Sequence, residues 1–445
     1  MRKQLFFIFL AGVAQELIWL SIKRLGPLRE HTTPFIIFML LAYLICVCAW
    51  FLFPDRDKKA VWLLLSFALI FRITALVSPP YQSEDVYRYV WDARVASMGI
   101  NPYQYAPNAP ELVSLRDETV YPMINSKPYI TAYPPLSQVL FRLSYHFFGA
   151  NIIAMKTIFS FLEFMTVLLA LKLLRLWSRK LQSLVLMAWN PFFIFEFSHS
   201  GHSDSAMMFL ILLFIYLLSI EKKTWAILSY GGAVLAKLHP ALWFPLIIRR
   251  GYWKSTFAGI AAGIGLTLIY FTPDSLLGYL KSLKLYFRLF EFNASIHYLI
   301  RAFGRVTLNQ FWDKDIGPYL GAVLIIITIM IILKFPMRDS RDLLHAGFWI
   351  MTADLCLATT VHPWYLSWAA LALPLFPYAF MMYWTGACFL SYVAYSHHPV
   401  FEPSWVLLLE YLPMYALMGW ELWKRRSLME TWIERSGINS SRRTR

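Results

Sequence analysis

Hydrophobic and polar positions alternate along this chain in long blocks. Apolar runs occur at 5–22, 34–53 and 60–77, near the ~20 residues that a helix needs to cross a bilayer. A polar interval follows, to about residue 149. Further apolar runs lie at 152–176, 184–197 and 206–220. The run 225–248 is longer than one straight span and is interrupted by Lys237, His239 and Pro240, a pattern that predicts a re-entrant pair of short helices. A single kinked span is the alternative, and it would reverse the sidedness of every later loop. The run 256–271 opens a second polar interval, 273–318, in which Leu, Phe and Tyr alternate with Lys281, Lys284, Arg288, Arg301 and Arg305 as in helices lying in a membrane interface. Runs at 319–333, 343–361, 364–376, 378–395 and 405–423 complete the chain. The pattern predicts an all-α polytopic membrane protein with about 11–13 transmembrane helices and large non-cytoplasmic loops carrying interfacial helices.

Basic clusters orient this threading. Arg56, Lys58 and Lys59 place the second connection inside, so the loop 78–149 lies outside, as does 273–318. Roughly two dozen of the 41 Lys and Arg fall in short inside connections. The tail 424–445 is basic and cytoplasmic, and residues 1–423 read as one transmembrane domain. The start, MRKQ before LFFIFLAGVA, imitates a signal peptide with Ala14 as a cleavage point. Because the apolar run continues to Ile22, an uncleaved first helix is expected.

Composition agrees: 58% hydrophobic, 18% aromatic and 15% charged residues do not suit a soluble domain. The net charge of +15 sits in short clusters between apolar segments, where it sets topology and touches anionic lipid rather than nucleic acid. Cys46, Cys48, Cys356 and Cys388 lie in apolar runs without CxxC spacing and read as core residues.

The chemistry collects on one face. The loop 78–107, SPPYQSEDVYRYVWDARVASMGINPYQYAP, carries Glu84, Asp85, Arg88 and Asp92 just beyond a membrane exit. SHSGHSDS (198 onward), NASIHY, HPWY (362 onward) and SHHPVFEP reach the same side. Asp85 is the candidate base, since a carboxylate half desolvated at the interface gains proton affinity. Glu84 and Arg88 are then supports, with Asp92, His202, Asp204, His362 and Tyr365 as substrate contacts. A plainer reading makes Glu84 and Asp85 solvated charges paired with Arg88, Ser203 or Asp204 a helix cap, and His362 a turn residue. His199 and His202 have metal-ligand spacing, but no accompanying motif assigns a metal. Asn293-Ala294-Ser295 is a glycosylation sequon of little weight by itself.

One reaction uses these groups economically. Attack of a hydroxyl on a sugar whose leaving group is a lipid-linked phosphate needs one base, whereas glycoside hydrolysis needs a second carboxyl to protonate its leaving group. Arg288, Arg301 and Arg305 can neutralise the departing phosphate, or else snorkel as anchors. A lipid donor also accounts for the membrane architecture. A nucleotide-sugar enzyme would need an α/β domain that the pattern does not predict, and the Asp55/Asp57 pair sits in a hairpin too short to hold a nucleotide.

The run EDVYRYVWDARVASMGINPYQYAP, SGHSDS, FNASIHYLIR and HPWYLSW together resemble bacterial membrane glycosyltransferases of the GT-C superfold, in particular the polyprenol-phosphate-mannose-dependent α-mannosyltransferases and the related glycosyltransferase 87 group. The resemblance covers about residues 60–423. It implies a GT-C bundle in the bacterial cytoplasmic membrane and transfer of a hexose, mannose foremost, from a polyprenyl-phosphate donor to a glycan or lipid acceptor. It also implies inversion at the anomeric carbon, a site on the non-cytoplasmic side, and a catalytic acidic residue where Asp85 stands. Ala93 and Ser203 replace the Gly and Asn frequent in similar proteins. The resemblance leaves open whether a divalent metal takes part. A transporter or lipid-linked-sugar flippase is the alternative, with Lys237 and His239 as its midplane groups.

Overall fold

The computed structural model describes residues 2–429 apart from 56, 253–256, 258–262, 264, 266–267, 269, 285–289, 309–315 and 398. The protein is an all-α polytopic membrane protein. Among the described residues the only strand-like pairing is a parallel bridge between Phe292 and Thr360. Among the described residues five helices are long and apolar enough to cross a membrane: Arg2–Leu25, Thr32–Leu52, Lys58–Leu76, Ile152–Leu176 and Ile316–Lys334. At 1.5 Å per residue each is about 28–38 Å long, matching the hydrocarbon thickness.

Several expected spans are built from shorter pieces. The run 184–197 is broken after Ala188, where Asn190 precedes Pro191, and ends in a π-helical turn, Phe195–His199. The run 225–248 is interrupted at Lys237, whose extended backbone separates Lys223–Ala236 from the short turns His239–Trp243 and Phe244–Arg249. The run 364–376 becomes Pro363–Leu366 and Ser367–Ala370 followed by turns. Most of 256–271 lies outside the described residues.

The chain divides into two compact units. The first comprises residues 1–70, 170–192 and 370–445. Its helices pack around small residues: a Cβ on Gly12 would lie 2.5 Å from Phe67 Cδ2, and one on Gly386 would lie 2.7 Å from Tyr43. Gln15 donates to the Trp189 carbonyl at 2.6 Å, and the Trp189 indole donates to that of Leu64 at 2.9 Å. Glu421 accepts from the backbone N–H groups of Ala379, Phe380 and Leu428, which ties the last helix to an earlier helix start. Asp55 accepts from the Gln182 amide and Asp57 from that of Lys59, both at 2.8 Å, so this acidic pair caps chain turns.

The second unit comprises residues 71–169 and 193–369 and contains all the candidate chemistry. Its apolar interior is pinned by a buried bidentate pair, Arg72 with Glu163, at 2.5 and 2.7 Å. The buried Lys156 donates to the carbonyls of Leu76 and Ser78, neutralising the end of a long helix just before the first large loop. That loop is ordered. Helix Asp85–Ser97 packs on Pro135–Phe148 through a Tyr89–Phe141 stack, with ring centroids 4.4 Å apart. Its polar side is closed by Arg88, which donates to Asp92 at 2.8 Å and to the Tyr129 carbonyl at 3.0 Å. Gln138 completes this network on the other Asp92 oxygen.

Candidate active site

Four separated stretches supply the groups around Asp85. The carboxylate is the first residue of its helix, where a negative charge is favoured by the exposed backbone N–H groups. Asn125, 40 positions later in the same large loop, donates to Asp85 Oδ1 at 3.1 Å. On the other oxygen, His202 Nδ1 stands 3.5 Å from Asp85 Oδ2. The opposite ring nitrogen, Nε2, is 3.5 Å from Glu196 Oε2. Both distances exceed a hydrogen bond, so packing rather than direct bonding holds the ring between the two carboxylates.

The turn that presents His202 follows from its sequence. The π-helical turn Phe195–His199 widens the backbone, and Gly201 then takes a φ of +77°, which a residue with a side chain adopts only with strain. A Cβ there would also lie 2.6 Å from Lys156 Cγ. The chain folds back so that the His202 amide donates to the Glu196 carbonyl at 3.1 Å, and Tyr89 Oη accepts from the Ser203 amide at 3.4 Å.

His362 arrives by a different route. The segment 359–361 runs beside 290–292, with the Val361 amide donating to the Phe292 carbonyl at 2.8 Å. This seats the His362 ring on Phe292, with centroids 4.7 Å apart. Trp364 stacks on the other side of His362 at 4.4 Å and on His202 at 3.9 Å. One indole therefore carries an imidazole on each face.

Asp204 heads the helix Asp204–Ser219 and accepts from the Trp368 indole at 2.7 Å. Lys237 is 3.1 Å from the same carboxylate and lies over the rings of Tyr365 and Trp368. His239 stacks on Trp368 at 3.5 Å. The break that lets Lys237 reach Asp204 is the interruption already visible in the run 225–248.

Electrostatics differ from the sequence expectation at Asp85. Burial alone would raise its pKa, but the neighbouring His202 ring, the Asn125 amide and the more distant His362 outweigh it and bring the carboxyl to about 2. The expected gain in proton affinity is thus reversed, because a loop carboxylate read as half desolvated in fact has an imidazole partner. Burial takes His362 the other way from its ordinary value, down to about 3, against the opposing pull of Asp85.

The remaining predicted residues are distributed as follows. Glu84 precedes Asp85 and is half-buried. Arg88 and Asp92 are buried and bonded to each other, to Tyr129 and to Gln138, behind the Asp85 end of the helix. Arg301 pairs with Glu291 and lies over Tyr298. Arg305 is exposed on the same amphipathic helix, Ile296–Leu308, and Arg288 lies outside the described residues. Asn293 of the sequon is buried and donates to the Val361 carbonyl at 3.4 Å. Among the described residues no group of three or more His, Cys, Asp or Glu is arranged to hold a metal ion.

Sequence reasoning passed over Glu196, Asn125 and Trp364. Glu196 had a local signal, a lone acid in the apolar string PFFIFEF, where an ionisable residue is costly unless it is used. Asn125 and Trp364 had none, since their roles depend on contacts across the chain.

Comparison with protein families matches residues 9–250 to a family described as alpha-(1->6)-mannopyranosyltransferase, N-terminal domain. That span includes Asp85, Asn125, Glu196, His202, Asp204 and Lys237. No curated protein and no solved structure matches the chain.

Proposed function

The chain belongs to this family of α-(1→6)-mannopyranosyltransferases, and from that premise we propose that it moves mannose from a polyprenyl-phosphate donor to an acceptor hydroxyl, with inversion, on the non-cytoplasmic face of the bacterial cytoplasmic membrane. The observation that carries the reading is a partly open carboxylate, Asp85, 20% exposed, where residues 125, 202 and 362 converge from distant parts of the chain. Inversion requires one displacement and one base, and two of the carboxylates nearby are enclosed: Glu196 is fully buried, and Asp204 is engaged by Trp368 and Lys237.

In this reading the acceptor hydroxyl lies against Asp85. As its oxygen bonds to the anomeric carbon, the bond from that carbon to the phosphate oxygen breaks and its electron pair leaves with the phosphate. An ionised carboxylate is a weak base in the ground state, but the hydroxyl proton becomes acidic as the new bond forms, and transfer then runs downhill. Glu84, His202, Asp204, His362 and Tyr365 line the sugar side. Arg88 and Asp92 hold the helix that carries Asp85. Arg288, Arg301 and Arg305 are the cations offered to the phosphate. Leu299, Phe303 and Val306, spaced along one exposed helix stripe next to Arg305, suit contact with acyl or prenyl chains.

The test is to incubate the purified protein with radiolabelled polyprenyl-phosphate mannose and a mannoside acceptor in vesicles. Transfer into an α-linked product supports the reading. Movement of unchanged lipid between leaflets without product supports a flippase and contradicts it.

A further inference from the structure

His202 is placed to do more than contact sugar. Its two ring nitrogens face two carboxylates from different parts of the fold, Asp85 on one side and Glu196 on the other, each at 3.5 Å. Both its ring and Glu196 are fully buried, while Asp85 is partly open. The stack on Trp364 fixes the plane of the ring, so it cannot turn away from either carboxylate without leaving the indole. The backbone bond from the His202 amide to the Glu196 carbonyl locks the two residues together. An ionised Glu196 accepts a proton from Nε2, which leaves the Nδ1 lone pair facing Asp85. This is the tautomer that receives a proton from a carboxylic acid at Asp85.

We propose that Asp85, His202 and Glu196 form a proton relay, in which Glu196 is a positioning residue that fixes the His202 tautomer and stabilises the ring once it is charged. This rests on the transferase reading above. The balance is simple. The acceptor O–H loses its proton to Asp85 Oδ2 as carbon–oxygen bond exchange occurs at the sugar, and the proton then passes to His202 Nδ1. The resulting imidazolium lies between two carboxylates, and Asp85 is ionised again while the phosphate leaves with its electron pair. The relay answers a difficulty that Asp85 alone leaves: a carboxylic acid beside the reacting oxygen returns its proton readily, and a second acceptor 3.5 Å away, His202 Nδ1, draws it on.

Other charged or titratable groups close to the ring do not substitute for it. Tyr89 faces the Ser203 amide, Lys156 packs against Gly201 and is bonded to two carbonyls, and Asp204 is paired with Lys237. His362 lies behind the indole and stays neutral down to about pH 3.

The test compares pH–rate profiles of the wild type, Glu196→Gln, Glu196→Asp and His202→Gln in detergent with polyprenyl-phosphate mannose. A relay requires His202 to be neutral before turnover, so the wild type loses activity on acidification. Removing the Glu196 charge makes the protonated ring less favourable, and the acidic limb moves to lower pH by about one unit, with turnover at neutral pH falling about 100-fold. Glu196→Asp keeps the charge and recovers the limb position, and His202→Gln abolishes the limb. A limb that does not move in Glu196→Gln overturns the relay while leaving the transferase reading intact. Absence of transfer by the wild type contradicts the transferase reading instead. In that event the relay falls with the reading it rests on.

Discussion

Trp364 stacks on His202 with ring centroids 3.9 Å apart and planes 15° apart. The indole carries His362 on its other face at 3°. Orientation of the His202 ring toward Asp85 therefore depends on an aromatic surface supplied from residue 364. Trp364→Phe keeps a flat face and is expected to retain most turnover. Trp364→Leu removes it, and turnover is expected to fall about 10- to 100-fold with the donor KM little changed. Steady-state kinetics, with thermal unfolding to confirm the fold, check this.

Acid should destabilise the protein in two stages. The His362 pKa is depressed in the fold, so the unfolded chain binds more protons between about pH 6.5 and 3, and stability present above that window is lost as pH falls through it. Asp85 is also depressed, to about 2, so its contribution, on the order of 2 kcal/mol, is present above about pH 4 and lost below it. Thermal unfolding in detergent across pH 7 to 3 reads both stages. His362→Phe should lessen the first, to which the buried His199, held low by desolvation and the Lys156 charge, also contributes, and leave the second.

Gly201→Ala combines a positive φ of +77° with a Cβ 2.6 Å from Lys156 Cγ. A cost of about 1–3 kcal/mol is expected from the backbone alone. Because His202 follows directly, turnover should fall more than stability does. Calorimetry and activity of the same preparation separate the two, and an unchanged turnover would show that the turn does not position His202.

The Arg72–Glu163 pair is 2% and 0% exposed in the interior of the second unit. Glu163→Gln leaves a buried guanidinium without its charge partner and should cost about 3–5 kcal/mol, whereas the double variant Arg72→Met with Glu163→Leu should recover most of that loss. Unfolding midpoints of the single and double variants measure the coupling directly.

Much of this organisation was legible in the sequence. The runs 5–22, 34–53, 60–77, 152–176 and 319–333 correspond to the five long apolar helices, because length and apolarity are local properties. Asp85, His202 and His362 were singled out and meet in one site. What composition did not reveal is pairing. Arg72 and Glu163 are 91 positions apart, and nothing near either names the other. The same distance problem hid the His202 partner of Asp85, and with it the direction of the Asp85 shift. Pro191 was visible, but the apolarity around it outweighed its helix-breaking geometry, so the segmented run 184–197 read as a continuous span. Arg88 and Asp92 carry an i, i+4 spacing that suits a helix-internal ion pair, and the structure uses them that way.

The most direct measurement is mannosyl transfer by purified Asp85→Asn, which preserves the shape of the side chain and removes its capacity to take a proton. The account predicts a turnover loss of at least about 1,000-fold with donor binding retained. Turnover within a few fold of the wild type would contradict the assignment of Asp85 as the residue that receives the acceptor proton.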